Sequence, residues 1–244
     1  MNTAVPDISW LDIGITLIPM CFVIGIMFSW STKGWTAIYS TARMLIQLIL
    51  IGYFLVFIFE SEEAWIIWLI LSIMLLVASW ISLSPIQANK RQLYPYVLLS
   101  LTLWGGSILF LVIWGVLQID PWYSPRYIIP LAGMIFANSM NTVSISAERY
   151  ESELTNGHSP DEAKKIAFQT GMIPVINSMF AVGLVALPGM MTGQILSGVS
   201  PLIATRYQIV VMSMLFGASG LCAACYLQLV SRFAGTAVKA SSGD

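Results

Sequence analysis

Every ionisable side chain of this chain sits in one of a few clusters, and the stretches between the clusters contain none. In order, the charge-free windows are 13–32, 44–59, 64–89, 92–119, 127–147, 166–205 and 207–231. Most match or exceed the roughly 20 apolar residues that a helix needs to cross a hydrocarbon core of about 30 Å. Window 44–59 is short, and spans if Arg43 snorkels or if the stretch from Trp35 extends it. Charged residues are 9% of the 244 and hydrophobic ones 57%, against about 25% charged in a soluble domain. Water is therefore not the main solvent. The expectation is all-α: a polytopic membrane helical bundle of about seven transmembrane helices, one domain over 1–244.

Orientation follows from where the positive charges fall, because cytoplasmic loops are enriched in Lys and Arg. Lys33 and Arg43 follow the first window, Lys90 and Arg91 the third, Arg149, Lys164 and Lys165 the fifth, Arg232 and Lys239 the seventh. The alternate loops hold Glu60, Glu62 and Glu63, then Asp120 with Arg126, then Arg206 alone. This places the N-terminus outside and the C-terminus in the cytoplasm. Trp65, Trp68, Tyr94, Tyr96, Trp122 and Tyr123 fall at the expected boundaries, where amphipathic rings favour the headgroup layer. Asp7 and Asp12 precede the first window with no Lys or Arg before Lys33, so a cleaved signal peptide is not expected. A net charge of −1 gives no reason to expect a nucleic-acid partner.

Cys222 and Cys225 form a C-x-x-C pair, yet their neighbours Gly217, Ala218, Gly220, Ala223 and Ala224 fit close helix packing better than redox or metal chemistry. His158 has no second His or Cys nearby and is expected to be a solvated side chain.

The fifth window is unusually polar. Helical spacing puts Met134, Asn138, Asn141 and Ile145 on one stripe and Ser139, Thr142 and Ser146 on the next. Amides facing hydrocarbon go unsatisfied, so these stripes should face protein or a wet path. Asn138-Ser139-Met140 returns as Asn177-Ser178-Met179 beyond the next loop, and antiparallel helices would bring both triplets into the cytoplasmic half of the membrane. The candidate pathway is Asn138, Ser139, Met140, Asn141, Asn177, Ser178 and Met179. Met190, Met191, Thr192 and Gln194 join it from the segment Pro188–Pro201, where Pro and Gly interrupt the longest window. Residues 186–206 are either a discontinuous helix, as transport sites often have, or an external loop with a small hairpin. Thioethers suit soft ions while amides and hydroxyls are harder ligands, so the mixture names no metal.

Between the triplets, about 148–173, lies the main hydrophilic segment. Ser159 is a good N-cap, Pro160 fits the first helical position, and Asp161 and Glu162 complement a helix dipole. The run Gly157–Lys165 looks like the loop by which ABC-transporter permeases dock their ATPases. Glu148, Arg149, Asp161, Glu162, Lys164 and Lys165 are the candidate coupling residues.

Asn138–Asn141 with Glu148-Arg149, Ile173–Met179, Leu187–Pro201 and Arg206–Met212 resemble the FetB-type permeases, a likeness that covers essentially the whole chain. That resemblance implies the membrane subunit of a bacterial ABC transporter in the plasma (inner) membrane, assigned to iron export and oxidative-stress resistance. It also implies kinship with plant aluminium-tolerance proteins, one of them linked to nucleotide sugars. Phe136 and Ser139 stand where the wider group has smaller residues. The chain has no G-x-x-x-x-G-K-S/T phosphate loop, so it is expected to hold no cofactor. ATP and Mg would belong to a separate cytoplasmic ATPase, with a permease homodimer and two such subunits as the assembly. No carboxylate falls inside a window, which disfavours proton coupling. The expected function is export of iron or a related metal ion without bond chemistry in this chain. The alternative is an ABC permease for an organic or nucleotide-sugar solute.

A cysteine at Ser124 should react with an impermeant maleimide added outside intact cells. One at Asn156 should react only after permeabilisation, and the reverse pattern would invert the topology.

Overall fold

The computed structural model describes residues 9–30, 32, 34–60, 63–87 and 89–233. Asp7, Lys33, Glu62 and Lys239, which enter the orientation reading, lie outside the described residues. The chain divides into two compact units, Met1–Ser61 and Glu62–Asp244, where the sequence reading treats 1–244 as one domain. Among the described residues the repetitive structure is helical, with only an isolated bridge between Val182 and Ala186.

In the first unit, α1 (Trp10–Thr16) starts with a capping box: Asp12 N–H donates to Ser9 Oγ at 3.3 Å, and Ser9 N–H donates to Asp12 Oδ2 at 3.1 Å. Leu17 stays in the right-handed helical region, so α1 and α2 (Ile18–Ser29) make one span. The next helix, α3 (Gly34–Glu60), begins before Trp35 and so lengthens the short window 44–59 into a full crossing. Neither span buries any of its apolar window. Phe22, Val23, Tyr53, Phe54 and Phe57 are exposed, as side chains are whose partner is hydrocarbon.

The second unit opens with α4 (Ala64–Ser82). One long run follows: α5 (Lys90–Ser100), a π-helical turn Leu101–Gly105, α6 (Gly106–Phe110) and a second π stretch Leu111–Leu117. It ends with α7 (Pro125–Thr155), α8 (Pro160–Ala181), α9 (Gly189–Leu196) and α10 (Pro201–Phe233). Among the described residues six helices are long and apolar enough to cross a membrane: Trp10–Ser29, Gly34–Phe59, Ala64–Ser82, Lys90–Leu117, Pro125–Thr155 and Pro201–Phe233. The window 166–205, expected as the sixth of seven spans, is instead broken. Lys164, Lys165, Gln169, Thr170 and Asn177 dilute α8, which stops at Ala181. Turns carrying Gly183 (φ +83°) and Gly198 (φ +91°) then set off the short α9. Residues 186–206 thus take a discontinuous course.

α8 nevertheless runs antiparallel alongside both α7 and α10. Lys164 Nζ reaches Gln228 Oε1 at 3.3 Å, Met172 abuts Gly220, and Gly171 meets Thr142 and Ser146. Small residues permit this approach: Ala163, Ala167, Ala218, Ser219, Cys222 and Ala223 are fully buried. Cys222 Sγ donates to the Ser100 carbonyl at 3.5 Å, the packing role its neighbours suggested.

A Cβ on Gly171 would lie 2.0 Å from Ser146 Oγ and 2.9 Å from the Thr142 carbonyl. Gly171→Ala should therefore cost about 1–3 kcal/mol through overpacking, read as a lower Tm of the purified protein in detergent. Gly217→Ala, whose new methyl meets only Ile108 at 3.8 Å, should leave Tm nearly unchanged.

Candidate functional site

α8 ends where Val182 turns extended, and the Gly183 N–H donates to the Ala186 carbonyl at 3.0 Å to close a tight loop. Pro188 then leads into α9, with the Thr192 N–H as the first to bond back, to the Pro188 carbonyl at 3.0 Å. The early end of α8 leaves a cavity of about 370 Å³ between α7, α8, α9 and α10. Met134 and Asn138 face it from α7, Val175 and Ser178 from α8, Met190 from α9, and Gln208, Val211 and Met212 from α10.

Two polar groups here are fixed by their own helices. Asn138 Nδ2 donates to the Met134 carbonyl at 2.9 Å, leaving its Oδ1 uncommitted, and Ser178 Oγ donates to the Pro174 carbonyl at 2.9 Å. Gln208 is different. Its side chain is buried at 6% exposure and its Oε1 has no hydrogen-bond partner. An unmade bond of this kind costs about 1–3 kcal/mol.

Asn138, Ser178 and Met190 of the candidate pathway thus converge on one cavity. Two helical turns from the contact of Gly171 with Ser146 bring 138 level with 178, so the two Asn-Ser-Met triplets lie at one depth. The remaining candidates are elsewhere. Ser139 is fully buried beside the Cys222 thiol, and Met140 is half-buried outside the cavity wall. Asn141 sits one residue, about 100°, round α7 from the Thr142 that meets α8, and is exposed, as are Asn177 and Met179. Met191, Thr192 and Gln194 are half-buried on α9 beyond the wall, the Gln194 Oε1 also unpartnered. Gln208 and Met212 went unselected in the sequence reading, although a lone amide within a spanning helix is a signal.

At the other end of α7 the buried Glu153 (3% exposed) is held by Arg149 at 2.6 Å and by His158 Nε2 at 3.1 Å. His158 is exposed, as expected of a solvated side chain, and in addition has this partner. Ser159 caps α8 as the sequence implies, and Glu162 completes a capping box: Ser159 Oγ accepts from the Glu162 N–H at 3.3 Å, and Glu162 Oε2 accepts from the Ser159 N–H at 3.1 Å. Lys164 donates to Asp161 at 2.9 Å as well as to Gln228, which holds it inward. Glu148 and Lys165 remain outward-facing. Among the described residues no group of three or more His, Cys, Asp or Glu converges to hold a metal.

A sequence-family model described as "Uncharacterised protein family (UPF0014)" matches residues 10–234. The chain belongs to this family. It is 34% identical over 229 residues to the UPF0014 membrane protein slr1647 of Synechocystis sp., covering 87% of this chain and 88% of that one. Over 213 residues it is 31% identical to the probable iron export permease protein FetB of Escherichia coli, covering 78% of each chain. The Arabidopsis thaliana protein ALUMINUM SENSITIVE 3 is 34% identical over 201 residues, 75% of this chain and 71% of its own. No solved structure matches. This UPF0014 chain is thus a multi-pass membrane protein whose relatives include a named permease.

The Ser159 hydroxyl, and after it the Ser159 backbone, hold the Glu162 carboxyl below its ordinary value of 4.5. The cap therefore stabilises α8 above that value and is lost as pH falls through the lowered one. Protection of the 162 and 163 amides, taken against their intrinsic exchange rate at each pH, should fall over that interval in the wild type. In Glu162→Gln it should be weaker at neutral pH and should lose that pH dependence.

Proposed function

We propose that this chain is the membrane subunit of an ATP-driven exporter of iron or a related metal ion. In this reading it works in the plasma (inner) membrane as a homodimer with two cytoplasmic ATPase subunits, which bind the ATP and Mg. Its role is in metal homeostasis and oxidative-stress resistance. The observation that carries the proposal is the exposure of Asn141 and Asn177 on α7 and α8. An amide left in hydrocarbon costs about 2–7 kcal/mol, so these faces call for a polar neighbour. A second copy seated there encloses a path continuous with the cavity at Asn138 and Ser178. Counting α8 as a crossing supports an external N-terminus and a cytoplasmic C-terminus. The name of the E. coli relative supports the cargo, and the absence of a phosphate loop supports a separate ATPase.

Alternating access then works by rigid transmission. ATP binding draws the two ATPase subunits together, and the segment 148–173, with Glu148, Arg149, Asp161, Glu162, Lys164 and Lys165, carries that motion to α7 and α8. A second reading, an ABC permease for an organic or nucleotide-sugar solute, is favoured by one observation: among the described residues no cluster of His, Cys or carboxylate stands ready for a metal.

In vesicles containing the chain and its ATPase, Asn138→Leu with Asn141→Leu should cut transport at least about tenfold, equivalent to about 1.4 kcal/mol, while ATPase co-purification persists. Unchanged transport refutes the pathway. Glu148→Lys or Lys165→Glu should weaken co-purification, and undiminished recovery removes the docking role. Stimulation of ATP hydrolysis by Fe(II) supports the first cargo, and stimulation by UDP-sugars alone the second.

A further inference from the structure

The cavity at the end of α8 contains donors of a narrow chemical kind. Met134, Met190 and Met212 line it from three different helices, α7, α9 and α10, with Asn138 and Gln208 as the amides. None of the lining residues is ionisable.

A methionine in a helical bundle is ordinarily a flexible filler that moulds itself to irregular gaps. That role does not describe these three. Each is only half-buried, and about 370 Å³ stays open between them. On the Gly189 side nothing lies within 4 Å of where a Cβ would sit. Gln208 belongs to the same wall, and its Oε1 is a buried acceptor with no donor.

Three properties of a ligand follow. A vacant carbonyl oxygen calls for positive charge or a donor. A site without any carboxylate supplies no countercharge, and the cost of burying an ion rises as the square of its charge, so one positive charge is tolerated far better than two. Thioether sulfur is a soft donor and a poor partner for Na⁺, K⁺, Mg²⁺ or Ca²⁺, which prefer oxygen. We infer that the cavity binds a soft monovalent metal cation of the cuprous or silver class, held by the thioethers of Met134, Met190 and Met212 with the Gln208 carbonyl oxygen as the hard supplement.

The inference rests on the proposed function only for the cavity's place on the cargo path; binding is measurable without transport. The probe is Ag⁺, which needs no reductant, titrated calorimetrically into the full chain purified in detergent. Cys21→Ser, Cys222→Ala and Cys225→Ser remove competing thiols; if that background fails to fold, alkylated wild type replaces it. The expected result is one saturable site per chain. Each of Met134→Leu, Met190→Leu and Met212→Leu should weaken it by about 10- to 100-fold, and the triple variant should abolish it. Met44→Leu, in the other unit, should change nothing. Leucine has nearly the volume of methionine, so retained Tm certifies the fold. Undiminished Ag⁺ affinity in the triple variant overturns the inference. So does saturable Fe(II) binding that is lost in Gln208→Ala but kept in the triple variant. Vesicles that export iron while the thioethers bind no Ag⁺ sink this inference alone; vesicles that move no metal despite Ag⁺ binding sink the exporter reading alone.

Discussion

Within hydrocarbon a polar group has no water to fall back on, and this constraint arranges the whole second unit. Many of its hydroxyls meet the constraint locally, although the buried Ser139, Ser146 and Ser219 hydroxyls have no partner. Ser79, Ser82, Ser100, Thr102 and Ser178 each donate to the carbonyl one turn back on their own helix, which makes them nearly neutral passengers. An amide has two donors and an acceptor with two lone pairs, and one helix cannot satisfy them all. Asn138 places one Nδ2 bond and keeps Oδ1 free, Gln208 leaves Oε1 empty, and Asn141 and Asn177 lie open on the surface. The amides, with the buried hydroxyls of Ser139, Ser146 and Ser219, are therefore polar groups that the fold leaves open.

Close packing decides where those amides go. Gly171 lets α8 approach α7 so nearly that no side chain fits between, and the register this sets places Asn138 level with Ser178. The break after Ala181 then withholds a helical turn that would have filled the space beside them. The cavity is the product of a tight contact at one end of α8 and a missing one at the other.

The spans were legible because lipid exposure demands charge-free length, a one-dimensional property. Even the marginal window 44–59 resolved in the way its flank at Trp35 implied. Window 166–205 resolved differently, because freedom from charge is not the same as being apolar, and Gln169, Thr170 and Asn177 lower α8 below the others. The Asn-Ser-Met repeat falls on α7 and α8, which pack together and share a cavity lined by Asn138 and Ser178. Which member of each triplet faces the cavity depends on the angular register set at Gly171, a tertiary quantity. Gln208 and Glu153 show the opposite limit. Each is a single residue with no local pattern, and only the fold supplies its neighbours.

Helix α7 has 31 residues, and at 1.5 Å per residue is about 46 Å long, well beyond a hydrocarbon core of about 30 Å. Its two prolines, Pro125 and Pro130, both lie near its start, so from Asn138 to Thr155 it is one uninterrupted rod. Its last turns carry the buried Glu153, clamped from both sides. A push delivered there has no joint in which to dissipate before it reaches Asn138. The helix has the build of a lever arm gripped at its Glu153 end, and a tilt of that grip would shift one cavity wall against the shorter α8 beside it.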